Sequence, residues 1–168
     1  MSNRRRALKV LAACTGAAAA GVAIVPSAAM LLEARRSQGN AGGRWVRVIR
    51  LSALAAGRPQ RAWVVGPEID AWNRAPDRRI GAVWLLRDGD SERVQAFSDA
   101  CPHLGCAIEL ADGHFNCPCH ESAFTLQGRR TTGPSPRDMD PIETRVADGW
   151  VSVKFRRFRQ GSRERVSV

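Results

Sequence analysis

Two patterns of hydrophobic and polar residues divide the chain. Residues 10–32 form a run of 23 residues without a charge, and from about residue 44 onward short apolar runs alternate with turn residues. A helix rises about 1.5 Å per residue, so the first run reaches across the roughly 30 Å of a bilayer's hydrocarbon core. The pattern therefore predicts one transmembrane helix over residues 10–32 and a β domain over residues 44–168.

The β domain is predicted from nine short runs of β-forming residues. Asp-Gly pairs at positions 88–89, 112–113 and 148–149 stand between such runs and favour tight hairpins. Residues 67–79, with Trp72 and Pro76, break this rhythm and indicate an irregular excursion. Short strands with almost no helical periodicity predict an all-β, antiparallel sandwich. The predicted strands are residues 45–51, 62–65, 81–86, 94–98, 107–110, 115–117, 122–126, 142–146 and 150–155.

The segments beside the apolar run predict how it lies in a membrane. Residues 1–9 include three consecutive arginines, Arg4 to Arg6. Residues 3–9 resemble a twin-arginine export signal, with Ala7 where that pattern prefers phenylalanine; the alternative is a basic flank that obeys the positive-inside rule. Both interpretations place the N-terminus in the cytoplasm.

Two interpretations of the apolar run itself remain open. Ser27-Ala28-Ala29 fits the small-x-small pattern of a signal-peptide cleavage site, so the run is either an uncleaved anchor, which we favour, or a removed signal peptide. Residues 33–43 contain Gly39, Gly42 and Gly43 among polar residues and predict a flexible tether.

The charge of the chain excludes little by itself. The formal net charge is +10, and of 26 basic residues only Lys9 and Lys154 are lysines. Such a balance suits nucleic acid, anionic lipid or an acidic partner. No helix-turn-helix, zinc-finger or RNA-recognition pattern is present, and the bases are spread along the chain. We therefore expect no nucleic-acid binding.

The candidate chemistry lies in two short boxes. The first reads Cys101-Pro102-His103-Leu104-Gly105-Cys106 and the second Cys117-Pro118-Cys119-His120-Glu121-Ser122; they use four of the five cysteines and two of the three histidines. Structural zinc sites show Cys-x2-4-Cys or His-x3-5-His spacing, which the Cys-x-His of the first box fits poorly. A scaffold of two disulfides leaves the histidines unexplained.

These boxes resemble those of the Rieske iron–sulfur family. The resemblance implies one 2Fe-2S cluster, with one iron on Cys101 and Cys117 and the other on His103 and His120. Neutral imidazoles in place of thiolates remove negative charge, which favours the reduced form and raises the reduction potential. The resemblance also implies a Cys106–Cys119 disulfide between the loops, and a cluster-binding subdomain over about residues 98–138.

Residues beside the boxes have expected roles through the same resemblance. Ser122 is expected to donate a hydrogen bond to a bridging sulfide. Phe124 stands where a tyrosine usually bonds a cysteine sulfur, and the chain has no tyrosine. Glu121 stands where glycine is common, and its carboxylate would lower the potential. We therefore expect a potential below the top of the family's range of roughly −150 to +300 mV, suited to a low-potential quinol such as menaquinol.

Other positions complete the expected surroundings. Gly133-Pro134-Ser135-Pro136 resembles the family's proline loop, and Leu104 is expected to shield the cluster and to contact a partner subunit. His114 is expected at the surface. Residues 154–165 hold six bases against Glu164 and are expected to form mostly a solvated terminus. The five tryptophans are expected to pack on the sheet rather than bind ligands.

The whole pattern implies an electron-transfer subunit. The leading hypothesis is the iron–sulfur subunit of a bacterial quinol:cytochrome c oxidoreductase, with cytochrome b and a c-type cytochrome as partners. Its head lies outside the cytoplasmic membrane, and His103 or His120 accepts a hydrogen bond from quinol. The alternative is the small subunit of an exported molybdenum oxidase such as arsenite oxidase. A soluble Rieske ferredoxin is a third hypothesis, which the Cys106/Cys119 pair and the apolar run oppose.

Overall fold

The computed structural model describes residues 2–39, 43–69 and 74–168. The chain divides into two compact units, Met1–Asn40 and Ala41–Val168. The first contains one helix, and the second contains the β-strands. The predicted class, antiparallel β with one N-terminal helix, is confirmed.

The N-terminal unit is a single helix, α1 (Ser2–Gly39), with Pro26 inside it. By length and composition its Asn3–Leu32 stretch is apolar enough to cross a membrane. Large apolar side chains such as Leu11 and Val22 are exposed along it, as suits a helix surrounded by lipid rather than by protein.

The helix continues into the segment that was predicted as a tether. Its backbone runs through Gly39, so residues 33–39 are helical, whereas residues 40–42 lie outside the described part of the chain. Alanine, arginine, glutamate and glutamine at these positions are good helix formers. The charges therefore end the apolar run without ending the helix.

Within the described residues, the second unit contains ten strands in two sheets. All pairings between the strands are antiparallel. A six-stranded sheet has the order β1-β10-β9-β4-β3-β2, and a four-stranded sheet has the order β5-β6-β7-β8. The strands are β1 (Arg44–Arg50), β2 (Gln60–Ile69), β3 (Arg74–Arg87), β4 (Val94–Ser98), β5 (Glu109–Ala111), β6 (His114–Cys117), β7 (Ser122–Phe124), β8 (Arg130–Thr132), β9 (Pro141–Ala147) and β10 (Trp150–Phe155). The small sheet thus lies between β4 and β9 in the chain.

Alternating side chains of the large sheet form one core. On β2, Ala62 and Val64 are buried whereas Trp63 between them is 44% exposed. The inward residues pack with aliphatic side chains of the neighbouring strands. Trp45, Trp63 and Trp150 each lie under an arginine guanidinium, so they pack on the sheet surface as expected.

Two of the three Asp-Gly pairs form two-residue hairpin turns. Asp112 and Gly113 join β5 to β6 with φ of 51° and 77°, and Asp148 and Gly149 join β9 to β10 with φ of 53° and 71°. Positive φ at both central residues is the geometry that Asp-Gly favours. The third pair lies in a longer loop, closed by the Asp88 N–H on the Arg93 carbonyl.

The prediction of an irregular excursion over residues 67–79 is wrong for residues 67–69 and 74–79, which belong to strands β2 and β3. Strands β2 and β3 pair through Glu68 with Ala75 and Ile69 with Arg74, after register shifts near Val65 and Gly66. Backbone pairing at the end of a long hairpin does not depend on apolar alternation, which explains why the pattern missed it. Residues 70–73, including Trp72, lie outside the described residues.

The C-terminus is mostly solvated, as predicted, since seven of residues 154–165 are exposed, but it is folded. Lys154 and Phe155 belong to β10, and Phe158 is buried in the core of the large sheet. Beyond it, the N–H of Arg159 donates to the Val166 carbonyl at 2.9 Å. The segment folds back on itself because one aromatic side chain anchors it, although most of its residues are polar.

Candidate metal centre

The two boxes form loops with one shared backbone geometry. The first lies between β4 and β5, and the second links β6 to β7. The N–H of Gly105 donates to the Cys101 carbonyl at 2.8 Å, and the N–H of Glu121 donates to the Cys117 carbonyl at 3.0 Å. Both donors have positive φ, 81° at Gly105 and 58° at Glu121. Each cysteine therefore starts a tight turn that places the histidine of its box at the turn.

A disulfide joins the two loops, as predicted. Cys106 and Cys119 are bonded, with a Cα–Cα distance of 6.5 Å. The Sγ atoms of Cys106, Cys117 and Cys119 all lie within 4.8 Å of one another. Two of these sulfurs are bonded to each other and are not available as thiolates, so this trio is not a ligand set. It shows instead that the disulfide lies directly beside Cys117.

The remaining cysteines and histidines of the boxes face each other in pairs. Cys101 and Cys117 are free and buried, and their thiols are hydrogen-bonded. The rings of His103 and His120 have centroids 4.8 Å apart and are nearly perpendicular, at 88°. His103 is half-buried and His120 is exposed. The loops thus bring together two thiols on the inside and two imidazoles towards the outside.

Burial opposes ionisation of the Cys101 thiol. Burial, with a smaller contribution from the Cys117 thiol, raises the pKa of Cys101 from 9.0 to about 11, although hydrogen bonds from the backbone N–H groups of His103 and Leu104 act to lower it. A thiolate in this position needs a compensating positive charge. A metal ion supplies that charge and binds the deprotonated sulfur.

The donor atoms present fit a Rieske cluster. His103 Nδ1 is buried and has no hydrogen-bond partner, which is unusual for a polar atom unless something absent satisfies it. Two thiols and two imidazoles are also the ligand types that Rieske 2Fe-2S centres use. Cys101, His103, Cys117 and His120 therefore remain our candidate ligands.

The proline loop packs directly on the second box. Gly133 has φ of +86°, and a Cβ built there would lie 2.4 Å from Ser122 Cα and 2.7 Å from the Glu121 carbonyl oxygen. The N–H of Ser135 donates to Ser122 Oγ at 3.0 Å, and both residues are buried. Pro134 follows Gly133 and is exposed. The loop can approach this closely only because Gly133 lacks a side chain.

The buried cysteines belong to an apolar cluster, and one apolar residue of the first box is exposed. Phe124 is fully buried and belongs to the same cluster as Cys101, Cys117 and Trp84. The indole N–H of Trp84 donates to the Ile108 carbonyl at 3.0 Å. Leu104, which follows His103, is 63% exposed.

His114 is only partly buried and lies outside this group, with Nδ1 3.1 Å from the Asp112 carbonyl oxygen.

Sequence reasoning missed a buried ion pair next to the site. The guanidinium of Arg137 bonds both carboxylate oxygens of Asp140, at 2.8 and 2.7 Å, and both residues are buried. Arg137 directly follows the proline loop, and that position was the one available clue. Charged residues in a polar segment otherwise predict a solvated surface.

Comparison with curated proteins identifies relatives of the chain. Residues 44–147 match the Rieske [2Fe-2S] domain. The chain is 30% identical over 112 residues to the menaquinol:cytochrome c reductase iron-sulfur subunit of Bacillus subtilis (strain 168), covering 63% of this chain and 64% of that protein. It is 29% identical over 160 residues to the cytochrome b6-f complex iron-sulfur subunit 3 of Nostoc sp. (strain PCC 7120), covering 90% and 84%. The chain thus spans less than two-thirds of the Bacillus subtilis relative, and 49% of the menaquinol:cytochrome c reductase iron-sulfur subunit of Geobacillus thermodenitrificans.

One solved structure shares the fold. Naphthalene 1,2-dioxygenase with bound indole matches with a TM-score of 0.50 and 16% identity, over 68% of this chain and 26% of that chain. The plasma membrane Rieske protein PetC3 from Synechocystis PCC 6803 matches with a TM-score of 0.40 and 32% identity, over 45% and 78%. Because the domain match covers more than half of its residues, the chain belongs to the Rieske [2Fe-2S] family.

Proposed function

We propose that this chain is the electron-transfer subunit of a membrane quinol:cytochrome c oxidoreductase. The observation that carries the proposal is the pairing of two buried thiols with two outward imidazoles, on loops that the Cys106–Cys119 disulfide ties together. Relatives named as iron–sulfur subunits of a menaquinol:cytochrome c reductase and a cytochrome b6-f complex support it. The helix α1, apolar enough to span a membrane, supports it as well.

The residues of the head have different roles in quinol oxidation. Cys101, Cys117, His103 and His120 would hold the 2Fe-2S cluster, which would supply a one-electron acceptor. With Nδ1 of His103 directed inward, the far ring nitrogen is left for a partner. An imidazole placed in this way accepts a hydrogen bond from a quinol hydroxyl and holds the proton that leaves with the electron.

A contact through Leu104 completes this mechanism. The exposed Leu104 side chain lies next to the ligand His103, and we assign it to the contact with the quinol-binding subunit, cytochrome b. An exposed apolar residue of this kind marks an interaction site when the surrounding surface is polar. The reduced head would then pass its electron to a c-type cytochrome.

The same proposal fixes the location of the chain. Residues 3–9 serve as a twin-arginine signal, α1 remains as a single-pass anchor of a bacterial cytoplasmic membrane, and the head lies on the outer side. Three arginines before the apolar run support a cytoplasmic N-terminus.

Purification from the native membrane tests the assembly. We expect cytochrome b and a c-type cytochrome to be recovered with the chain, and a reduced sample to show the rhombic paramagnetic resonance spectrum of a Rieske centre. Recovery of a molybdopterin subunit instead would favour the alternative oxidase and contradict the proposal.

Substitution of single ligands tests the ligand set. Cys101→Ser, Cys117→Ser, His103→Gln and His120→Gln should each abolish the rhombic spectrum. Cys14 and His114 are residues of the same types outside the site. As matched controls, Cys14→Ser and His114→Gln should each retain the rhombic spectrum. A spectrum that survives loss of a proposed ligand would disprove that assignment.

A further inference from the structure

The C-terminal segment, residues 157–168, forms an antiparallel hairpin of its own. Phe158 pairs with Ser167, the Arg159 N–H donates to the Val166 carbonyl at 2.9 Å, and the Val168 N–H donates to the Arg157 carbonyl at 3.0 Å. Phe158 is buried in the core of the large sheet. The hairpin is therefore a fixed part of the head, and the groups at its turn have defined positions.

The turn of this hairpin contacts the first ligand loop. The N–H of Gly161 donates to the Pro102 carbonyl at 2.9 Å. A Cβ on Gly161 would lie 3.8 Å from the His103 carbonyl oxygen, and a Cβ on Gly105 would lie 3.6 Å from the Gln160 side chain. Pro102 lies between Cys101 and His103. The C-terminal hairpin thus supports the stretch of backbone that carries two candidate ligands.

The same turn is bonded to the proline loop through one guanidinium. Arg137 donates to the Ser162 carbonyl oxygen, and its Nη2 donates to the Arg159 carbonyl oxygen at 2.9 Å. Its remaining contacts are the two carboxylate oxygens of Asp140. A buried guanidinium is tolerated only when its donors are satisfied, and the rigid fork of arginine suits several acceptors at once.

A chain of hydrogen bonds continues from Arg137 to the second ligand loop. The hydroxyl of Ser135 donates to the Arg137 carbonyl at 2.8 Å, and the N–H of Ser135 donates to Ser122 Oγ at 3.0 Å. Ser122 pairs with Cys117 across β6 and β7. Because Ser122 Oγ accepts a bond from Ser135, one of its two lone pairs is used, and its own hydrogen is left to donate in another direction.

We propose that Arg137 is a positioning residue that links the C-terminal hairpin to Ser122 and thereby sets the reduction potential of the head. The inference rests on the proposed cluster-binding function and deepens it. With the link intact, the Ser122 hydroxyl is held in one orientation, in which it would donate to the cluster. Without it, the hydroxyl rotates, the bond is made only part of the time, and the potential falls.

Deletion of residues 159–168 in the full chain tests the link. The deletion leaves Phe158 in the core and removes the acceptors at Arg159 and Ser162 together with the Gly161 donor. We expect a lower midpoint potential in redox titration, with the rhombic spectrum retained. The deleted residues carry three arginines and one glutamate, a net charge of +2. The deletion also removes Arg165, whose Nε lies 3.5 Å from Asp140 Oδ1. The matched control is therefore Arg163→Gln with Arg165→Gln, which removes two positive charges, including the one beside Asp140, but keeps the backbone contacts.

A double-mutant cycle with Ser122→Ala separates positioning from general damage. Ser122→Ala alone lowers the potential, and in that background the deletion should cause no further shift. An equal shift in both backgrounds would mean that the hairpin acts by another route, such as shielding from water. An unchanged potential in the deleted chain would also overturn the proposal.

Arg137→Lys provides an independent variant in case the deleted chain does not assemble. Lysine keeps the positive charge beside Asp140 but loses the fork that reaches Ser162 and Arg159. We expect the same fall in potential and the same dependence on Ser122; a wild-type potential here would overturn the proposal. Absence of the rhombic spectrum from the unmodified chain would instead refute the proposed function.

Discussion

Phe124 occupies a buried position that can be used to tune the site. It is fully buried in the apolar cluster of Cys101 and Cys117. Phe124→Tyr should add a hydrogen bond to sulfur, worth about 1.5 kcal/mol for a charged acceptor. Because 1.4 kcal/mol corresponds to roughly 59 mV for one electron, we expect redox titration to show a potential higher by about 60 mV.

The control for this variant is Phe155→Tyr. Phe155 packs against the core of the large sheet and not against the cluster of Cys101 and Cys117. That substitution should leave the potential unchanged. A Phe124→Tyr potential that stays constant or falls would contradict the hydrogen-bond argument.

Glu121 combines a strained backbone with a carboxylate at the site. Its φ is 58°, a left-handed conformation that costs about 1–2 kcal/mol for a residue with a Cβ. Glu121→Gly should therefore raise the midpoint temperature of thermal unfolding by about 2–4 °C, equivalent to roughly 1 kcal/mol. It should also raise the reduction potential, because a nearby negative charge favours the oxidised form.

Asp112→Gly separates these two effects. Asp112 has φ of 51° in the turn between β5 and β6. Its replacement should give a similar gain in midpoint temperature without a change in potential. If both variants shifted the potential equally, the carboxylate of Glu121 would not be the cause.

At the scale of residues, the spacing and the family resemblance predicted much of the candidate site but not the buried contacts of Arg137 beside it. The boxes are local in sequence, so their thiols, imidazoles and disulfide could be assigned from the spacing and the family resemblance. The link from Arg137 to Asp140, Arg159 and Ser162 reaches up to 25 residues along the chain. No local pattern records such a contact, because only the folded chain brings these groups together.

Among the loops, the proline loop depends on one glycine. Gly133→Ala would place a Cβ 2.4 Å from Ser122 Cα at φ of +86°, so backbone must move. Strain and overpacking together should cost about 3 kcal/mol, which lowers the midpoint temperature of cluster loss by roughly 10 °C. Absorbance of the cluster during heating measures this temperature.

Gly113→Ala is the matched control for the clash. Its φ is +77°, but a Cβ there meets nothing within 4 Å. The control should show only the strain, about 1 kcal/mol. Equal losses in the two variants would show that close packing on Ser122 contributes nothing.

The disulfide should stabilise the pair of loops rather than create them. Its cysteines are 13 residues apart, and closing a loop of that length contributes about 3 kcal/mol in the chain-entropy account. Replacing Cys106 and Cys119 together by serine should therefore speed cluster loss on warming, again followed by absorbance. Cys14→Ser, a cysteine change in α1, should have no effect; an unaltered rate in the double variant would contradict the role.

The strands that the sequence pattern missed are those without apolar alternation. Strand β8, Arg130–Thr132, is three exposed polar residues held by pairing with β7. The outer parts of β2 and β3 are likewise joined by backbone bonds. The predicted β10 matched Trp150–Phe155 in full, since its alternating Val151 and Val153 are buried. Pattern reasoning therefore finds strands that form the core and misses those held mainly by a neighbour's backbone.

For the whole molecule, the role of α1 can be tested by charge. Ala18→Arg with Val22→Arg places two charges near the middle of Asn3–Leu32, each costing about 2.5–3.5 kcal/mol in a bilayer. We expect an alkaline wash to release this double variant from the membrane fraction, whereas the unmodified chain should stay bound. Ser37→Arg with Gln38→Arg adds the same charge outside the span and should stay membrane-bound; release of both variants would mean that charge alone weakens attachment.

Trp84 gives the head a built-in optical reporter. Its indole is fixed by the Ile108 carbonyl and lies in the apolar cluster with Cys101 and Cys117, whereas Trp45, Trp63 and Trp150 stack under arginines on the sheet. Emission from a buried indole this near to an iron centre is quenched by energy transfer. The decrease in tryptophan fluorescence on iron binding, compared between the unmodified chain and the Trp84→Phe variant, therefore follows occupation of the site in real time.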